Sequence, residues 1–372
     1  MSPLSRKQAF LVLNGLPEIG PITLRRLMDA FNGDPLAIFT APANQLRSVR
    51  GVGHKIVNIL RGWEDHFDLR KQCERMEKSD TRFVVAESDQ YPPLLREIYD
   101  PPIGLYWRGD YTLDGPAVAI VGSRTTTVYG RRVARKLGRE LAQTGFCVVS
   151  GGARGVDTEA HKGALEAEGK TVSVMGCGMD IVYPPENFEL YKRIARTGAV
   201  LSEFPFGRRA DRQTFPMRNR IISGMCQALV VVECNLSGGS MISARFAAEQ
   251  GRTVFAVPGR IDQATSRGCH QLIREGAVLL SEPSDVAEEL GYLIGNSQTS
   301  DATGPTLPGP ELSEEEQEIL GHFQGGEILD MDRLIDLTGK TSPELASALM
   351  LLELKHLVVK RFDGTFEAIG EW

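Results

Sequence analysis

The feature that most constrains this 372-residue chain is a series of short apolar runs that do not alternate with polar residues. They are VAIVG at 118–122, CVVSGG at 147–152, TVSVMG at 171–176, ALVVVE at 228–233, TVFAVPG at 253–259 and AVLLSE at 277–282, with VLSEFP at 200–205 in the same rhythm. A run without alternation fits a strand buried on both faces, as in a parallel sheet. Helical periodicity between the runs makes βαβ units. Residues 83–292 are therefore expected to form an α/β domain with an extended, Rossmann-like, mostly parallel sheet. Ligands on such sheets sit at the C-terminal strand ends, and the glycines of these runs cluster there.

Residues 1–80 read as helical, with Phe10, Leu11 and Leu13, then Ile22, Leu24, Leu27 and Phe31, at helical spacing. Glycine turns at 15–20 and 50–55 interrupt them. The second, Gly51-Val52-Gly53, has the form of a helix-hairpin-helix (SAM-like) turn. Such a turn either points N–H groups at a phosphate or simply joins two helices. Residues 293–310 have linker composition. Residues 311–372 predict a winged helix: a capping box from Ser313 to Glu316, helices over MDRLIDLTG and SPELASALMLLELKHL, and a hairpin turning at Asp363-Gly364. The presumed recognition helix offers almost no Arg, Asn or Gln to a groove, so contact with a protein or with the rest of the chain fits it better than DNA reading.

Hydrophobic residues make up 42% of the chain and charged residues 24%, an ordinary globular balance. A net charge of -6 excludes a wholly basic nucleic-acid binder but leaves room for a local basic patch. The six cysteines include no C-x-x-C pair, which removes a zinc ribbon and a dithiol redox motif and suggests buried thiols in a reducing compartment. With no signal peptide and no apolar run of membrane-spanning length, the expectation is a soluble, cytoplasmic protein without a membrane partner. Neither G-x-x-x-x-G-K-[ST] nor G-x-G-x-x-G occurs, so an ATPase and a nicotinamide enzyme are unsupported, and no cofactor or metal is expected.

Candidate site residues lie at the strand ends. After AVAIVG come Ser123 and Arg124, before the basic helix RRVARKLGRELAQTG: hydroxyls, N–H groups and a guanidinium that suit phosphate. The next run ends in Ser150-Gly151-Gly152, where paired glycines permit close approach of a ligand backbone. Asp157 and His161 share a helix face, which allows either a catalytic pair or an N-cap with a packed histidine. The segment GRRADRQTFPMRNRIISG sets Arg208, Arg209, Arg212, Arg218 and Arg220 around Phe215 and Asn219 against one acid, Asp211. Arginines hold phosphates, a ring stacks a base, and an amide reads a base edge. The competing reading packs Phe215 inside the fold and pairs Arg218 with a carboxylate such as Glu203. A third loop, Ser237-Gly238-Gly239-Ser240, again opens a helix after a strand.

Together these stretches resemble the DNA-processing protein A (DprA/Smf) family of bacterial recombination mediators. The resemblance rests on AIVGSR, VVSGGARGVDTEAH, GCGMDIVYPPEN, LSEFPFG, FPMRNRIISG, SGGSMISARFAAEQGR and VFAVPGRIDQATSRGCHQLI, in that order. It implies a non-enzymatic homodimer that binds single-stranded DNA in preference to duplex and loads RecA recombinase onto it, in recombination and natural transformation. It also implies a DNA pocket containing Arg124, Phe215, Arg218, Asn219 and a basic residue upstream, here Arg212. The family's loop SGSLITA reads SGGSMISA here, with one extra glycine, which opens the roles of residues 237–240.

Two other functions compete. A nucleotide phosphoribohydrolase of the lysine-decarboxylase-like Rossmann type uses P-G-G-x-G-T-x-x-E; the loop here lacks Thr and Glu at that spacing. A protein-interaction adaptor with a decayed DNA pocket conflicts with the intact arginines.

Overall fold

The computed structural model describes residues 4–290, 312–323, 328–355, 357–361 and 364–368, in two compact units divided between Gly295 and Asn296. The first unit opens with helices α1 (Arg6–Gly15), α2 (Pro21–Ala30), α3 (Pro35–Thr40), α4 (Ala43–Arg47), α5 (His54–Arg61) and α6 (Leu69–Lys78). Local chemistry sets their ends. Ser5 and Gln8 form a reciprocal capping box on α1. Prolines begin α2 and α3. Gly51, at φ 92°, makes the turn into α5 that an L side chain would strain.

The sheet elements follow: β1 (Thr81–Val85), α7 (Pro93–Arg96), β2 (Gly104–Arg108), β3 (Ala117–Val121), α8 (Val128–Gln143), β4 (Cys147–Ser150), α9 (Val156–Glu166), β5 (Thr171–Met175), α10 (Phe188–Thr197), β6 (Ala199–Ser202), α11 (Thr214–Gly224), β7 (Ala228–Val231), α12 (Gly239–Glu249), β8 (Thr253–Ala256), α13 (Arg267–Arg274), β9 (Val278–Leu279) and α14 (Ser284–Leu290). The strand order is β1-β2-β6-β5-β4-β3-β7-β8-β9. Strands β3 to β9 are mutually parallel, and β2 joins β6 antiparallel with β1 beyond it. The apolar runs mark the parallel strands. Strands β1 and β2 are not among those runs; Arg82 and Arg108 flank their apolar stretches Phe83–Val85 and Gly104–Trp107, and Arg82 lies 5.6 Å from the Trp107 ring of the neighbouring strand.

Burial on both faces is direct. Ala117, Ala119 and Val121 enter the core beneath α11, α12 and α13, while Val118 and Ile120 enter the core beneath α8 and α9. Helices α8 and α9 touch backbone to backbone, because a side chain at Gly138 would collide with the Ala160 carbonyl and one at Gly163 with that of Arg135.

The division at about residue 80 does not separate two bodies. Leu13, Leu27, Leu60 and Phe67 of the N-terminal helices share one apolar cluster with Phe83, Tyr106, Met175 and Val200 of the sheet. The helices cover a sheet face that would otherwise be wet, so residues 1–295 form one compact unit.

The second unit contains α15 (Glu314–Gly321), β10 (Ile328–Leu329), α16 (Met331–Thr338), α17 (Ser342–Leu354), β11 (Val358–Lys360) and β12 (Phe366–Ala368), with strand order β10-β12-β11. The box from Ser313 to Glu316 forms as expected. The hairpin closes through Gly364 at φ 83°; Asp363, the other expected turn residue, and the linker 293–310 lie outside the described residues. Leu334, Leu345, Leu349 and Leu352 make this unit's own core.

Candidate nucleic-acid interface

The chain lays down β3, β4, β5 and β6 in one direction and then returns to place β7 on the other side of β3. Strand order therefore reverses between β3 and β7, the place where doubly wound sheets open a crevice at their carboxyl ends. A cavity of about 380 Å³ lies there. Its walls are the end of β3 with Ser123 and Arg124, the face of α11 with Phe215, Arg218 and Asn219, and the start of α12 with Gly238 and Ser240.

Arg218 is the central group. Its side chain is only 4% exposed, yet Nη1 makes one hydrogen bond, to the Val174 carbonyl at 3.0 Å, and Nε has no partner among the described residues. Burial pulls its pKa below the ordinary arginine value, with Asp157 pulling the other way; an arginine still keeps its proton. Burial likewise raises the Asp157 carboxyl, against the attraction of Arg218 and the N–H groups it accepts. Those come from Gly151 and Ala153, both at 3.2 Å. A buried cation with unused donors beside a cavity suits an anion by its chemistry.

Arg124 is exposed at the cavity mouth, with its guanidinium 4.5 Å from the centre of the Phe215 ring. Phe215 is half-buried. Tyr183 lies 5.6 Å away, and Gly176 at the end of β5 leaves room for the ring. The turn presenting Arg124 is fixed by Glu233, whose carboxylate accepts hydrogen bonds from Thr126 Oγ1 (2.6 Å), Thr127 N (2.9 Å) and Thr127 Oγ1 (2.7 Å). Helix α12 begins at Gly239 with no side-chain cap, and Gly239 and Ser240 of its first turn line the cavity. The Asn219 amide donates to the Gly239 carbonyl at 3.4 Å and ties α11 to this loop.

Of the residues expected from sequence, Ser123, Arg124, Phe215, Arg218, Asn219, Gly238 and Ser240 come together on the cavity. The others do not. Arg220 is 2% exposed, donates a hydrogen bond to Glu203 at 2.6 Å and forms an ion pair with Asp100 at 3.2 Å, so the carboxylate pairing weighed for Arg218 belongs to Arg220. Gly151 and Gly152 give their space to the protein itself: a Cβ at Gly151 would lie inside the Arg218 guanidinium, and one at Gly152, at φ 63°, would strike the Tyr191 hydroxyl. Arg212 and Ser237 are exposed but outside the cavity lining. Sequence reasoning assigned no role to Glu233 or Tyr191. The acid ending an apolar run, VVVE, was the available signal for Glu233, since a buried strand end keeps a carboxylate only where donors satisfy it.

Asp157 and His161 do not form a catalytic pair. Asp157 holds the glycine loop, and His161 lies fully buried with Nδ1 2.7 Å from Thr171 Oγ1. That hydroxyl donates to the Val148 carbonyl, so the imidazole donates through Nδ1. Burial depresses the His161 pKa to about 3. Asp157 is the one carboxylate among the described residues lining the cavity, and α12 brings no acid into it. No cluster of metal-ligating side chains occurs among the described residues, and no helix among them is long and apolar enough to cross a membrane.

Comparison with known proteins adds independent information. Residues 82–291 match the family described as DNA recombination-mediator protein A, and residues 303–363 match the DprA winged helix domain. The chain is 32% identical to Protein Smf of Synechocystis sp., over 95% of this chain and 96% of that protein. It is 42% identical to DNA processing protein DprA of Bacillus subtilis, over 56% and 70%. Among solved structures, DNA processing protein A from Streptococcus pneumoniae superposes with a TM-score of 0.67 at 32% identity, covering 76% of this chain and 97% of that one. A structure of the Helicobacter pylori protein, described as giving insight into its single-stranded DNA binding mode, superposes with a TM-score of 0.52 at 32% identity, covering 57% and 96%.

Proposed function

The chain belongs to the DNA recombination-mediator protein A family, and from that premise we propose that it binds single-stranded DNA in the cavity between β3 and β7 and delivers it to a RecA-type recombinase. The observation that carries this reading is Arg218, a buried guanidinium with unused donors at a cavity whose mouth is an arginine stacked on a phenylalanine. Phosphates take the guanidinium groups of Arg124 and Arg218 and the N–H groups at the start of α12. A base takes the aromatic or guanidinium face, which a paired and stacked duplex does not present. Contacts of this kind are to backbone and π-face, so sequence preference is small. The role is binding rather than catalysis, since Asp157 at the cavity and the buried His161 on the same helix are engaged in holding the fold.

The homodimer implied by the resemblance is supported by β9. This edge strand leaves Val278 and Leu279 exposed at 38% and 47%, and its outer edge pairs with no other strand among the described residues, a template for a second copy.

Fluorescence anisotropy with a labelled single strand and its duplex, across a salt series, tests the proposal. Single-strand preference with log K falling by about 0.7 per phosphate neutralised, per decade of salt, is the expected result. Equal affinity for both forms, or none, refutes it. Strand exchange by RecA on DNA coated with a single-strand-binding protein then tests delivery, and sedimentation velocity reads the oligomeric state.

A further inference from the structure

A second groove begins where the cavity ends, and Arg124 lines both. It encloses about 510 Å³ between α9 and α10, with Arg131 contributed by α8, Arg154 and Lys162 by α9 and the loop before it, and Arg193 by α10. The acids that line it are paired: Glu186 with Arg154, Glu159 with Lys162 at 2.8 Å and Arg135 at 3.5 Å, and Glu189 with Lys192 at 2.9 Å, so two of the groove's cations, Arg154 and Lys162, are balanced and Arg131 and Arg193 are left to a ligand. Arg131 and Arg193 are exposed; neither makes an ion pair within 4 Å among the described residues, and Glu166, which is already bound to Arg135, attracts Arg193 from farther off. No aromatic side chain is among the described residues lining this groove.

We propose that this groove is a second phosphate-backbone subsite, taking the nucleotides of the same single strand that leave the cavity past Arg124. The inference rests on the reading of the cavity as a single-stranded DNA site. A polyanion carries its charges at regular spacing, so it gains from exposed cations without an ion-pair partner within 4 Å in a groove that adjoins the first contact at Arg124. With guanidinium groups and no ring, this stretch binds phosphates and ignores bases. An acidic peptide would meet the same cations, but the continuity through Arg124 favours one strand occupying both.

The test uses the full chain and labelled single strands of about 6 and about 20 nucleotides, a range spanning known single-strand site sizes. Arg131→Gln with Arg193→Gln is expected to weaken the long strand about tenfold while leaving the short strand unchanged. Its salt slope on the long strand is expected to be shallower by about 1.4, for two phosphates at 0.7 each. Arg131→Lys with Arg193→Lys, which keeps both charges, is expected to retain the length effect. Matching melting curves separate a lost contact from a lost fold. Equal losses on both lengths, or none on either, overturn the second groove, even if the glutamine variant loses binding to a polyglutamate peptide. A wild-type protein that binds neither length overturns the cavity reading itself, and the second groove with it.

Discussion

The guanidinium of Arg124 lies 4.5 Å from the centroid of the Phe215 ring, so the cation and the aromatic face at the cavity mouth form one unit in the free protein. An incoming base either stacks on the guanidinium or displaces it from the ring. Arg124→Ala is expected to cost about 1.5–3 kcal/mol of single-strand binding, as for charged hydrogen bonds, and Phe215→Ala about 1–3 kcal/mol. Because the two side chains touch, the double variant is expected to lose less than the sum by about 0.5 kcal/mol or more. A double-mutant cycle by anisotropy measures this; strict additivity would mean that they act on separate nucleotides.

Arg218 combines a binding role with a folding role. Arg218→Ala removes the nearby cation that attracts the buried Asp157 and leaves the Val174 carbonyl without its donor, so a destabilisation of about 1–3 kcal/mol is expected in urea melts. Adding Asp157→Asn is expected to restore part of the stability and none of the binding. Recovery of binding in that double variant would remove Arg218 from the site.

Arg220 predicts the opposite pattern. It is sealed against Glu203 and Asp100 and does not line the cavity. Arg220→Ala is expected to lower stability by about 3–5 kcal/mol. Affinity per folded molecule is expected to stay at the wild-type value. A selective loss of affinity with an unchanged melting curve would place Arg220 back among the DNA contacts.

His161 sets an acid limit on the fold. Its pKa is about 3 in the native state, against about 6.5 for a free imidazole. Between these values the unfolded chain binds the extra proton, so stability falls as pH drops from about 6.5 toward 3. At pH 5 the loss amounts to about 2 kcal/mol at 1.36 kcal/mol per unit. His161→Gln is expected to flatten this slope in urea melts repeated from pH 7 to pH 4. An unchanged slope would show that other groups govern acid sensitivity.

Much of the architecture was legible in the sequence because its signals are local. A strand buried on both faces must be apolar throughout, and the parallel strands announced themselves that way. The glycine-serine loops of the cavity follow such strands, so Ser123, Arg124, Gly238 and Ser240 were visible too. Strands β1 and β2 were not, since they join the sheet antiparallel at its edge, outside the repeating βαβ rhythm, with Arg82 and Arg108 flanking their apolar stretches. The junction near residue 80 looked like a domain boundary because periodicity changes there. Periodicity reports local structure, whereas the shared core of Leu60, Phe67 and Tyr106 depends on which face the helices cover.

The sequence by itself determined the doubly wound sheet, the strand ends where a ligand site forms, and the cluster of arginines beside Phe215. Only the tertiary structure decided which arginines serve the site. Arg218 and Arg220 lie two positions apart in one helix, which turns them about 200° from each other. One therefore points beneath the cavity at the end of β5 and the other into a carboxylate network behind it. Composition and spacing cannot separate the two, because the difference lies in what each side of α11 packs against.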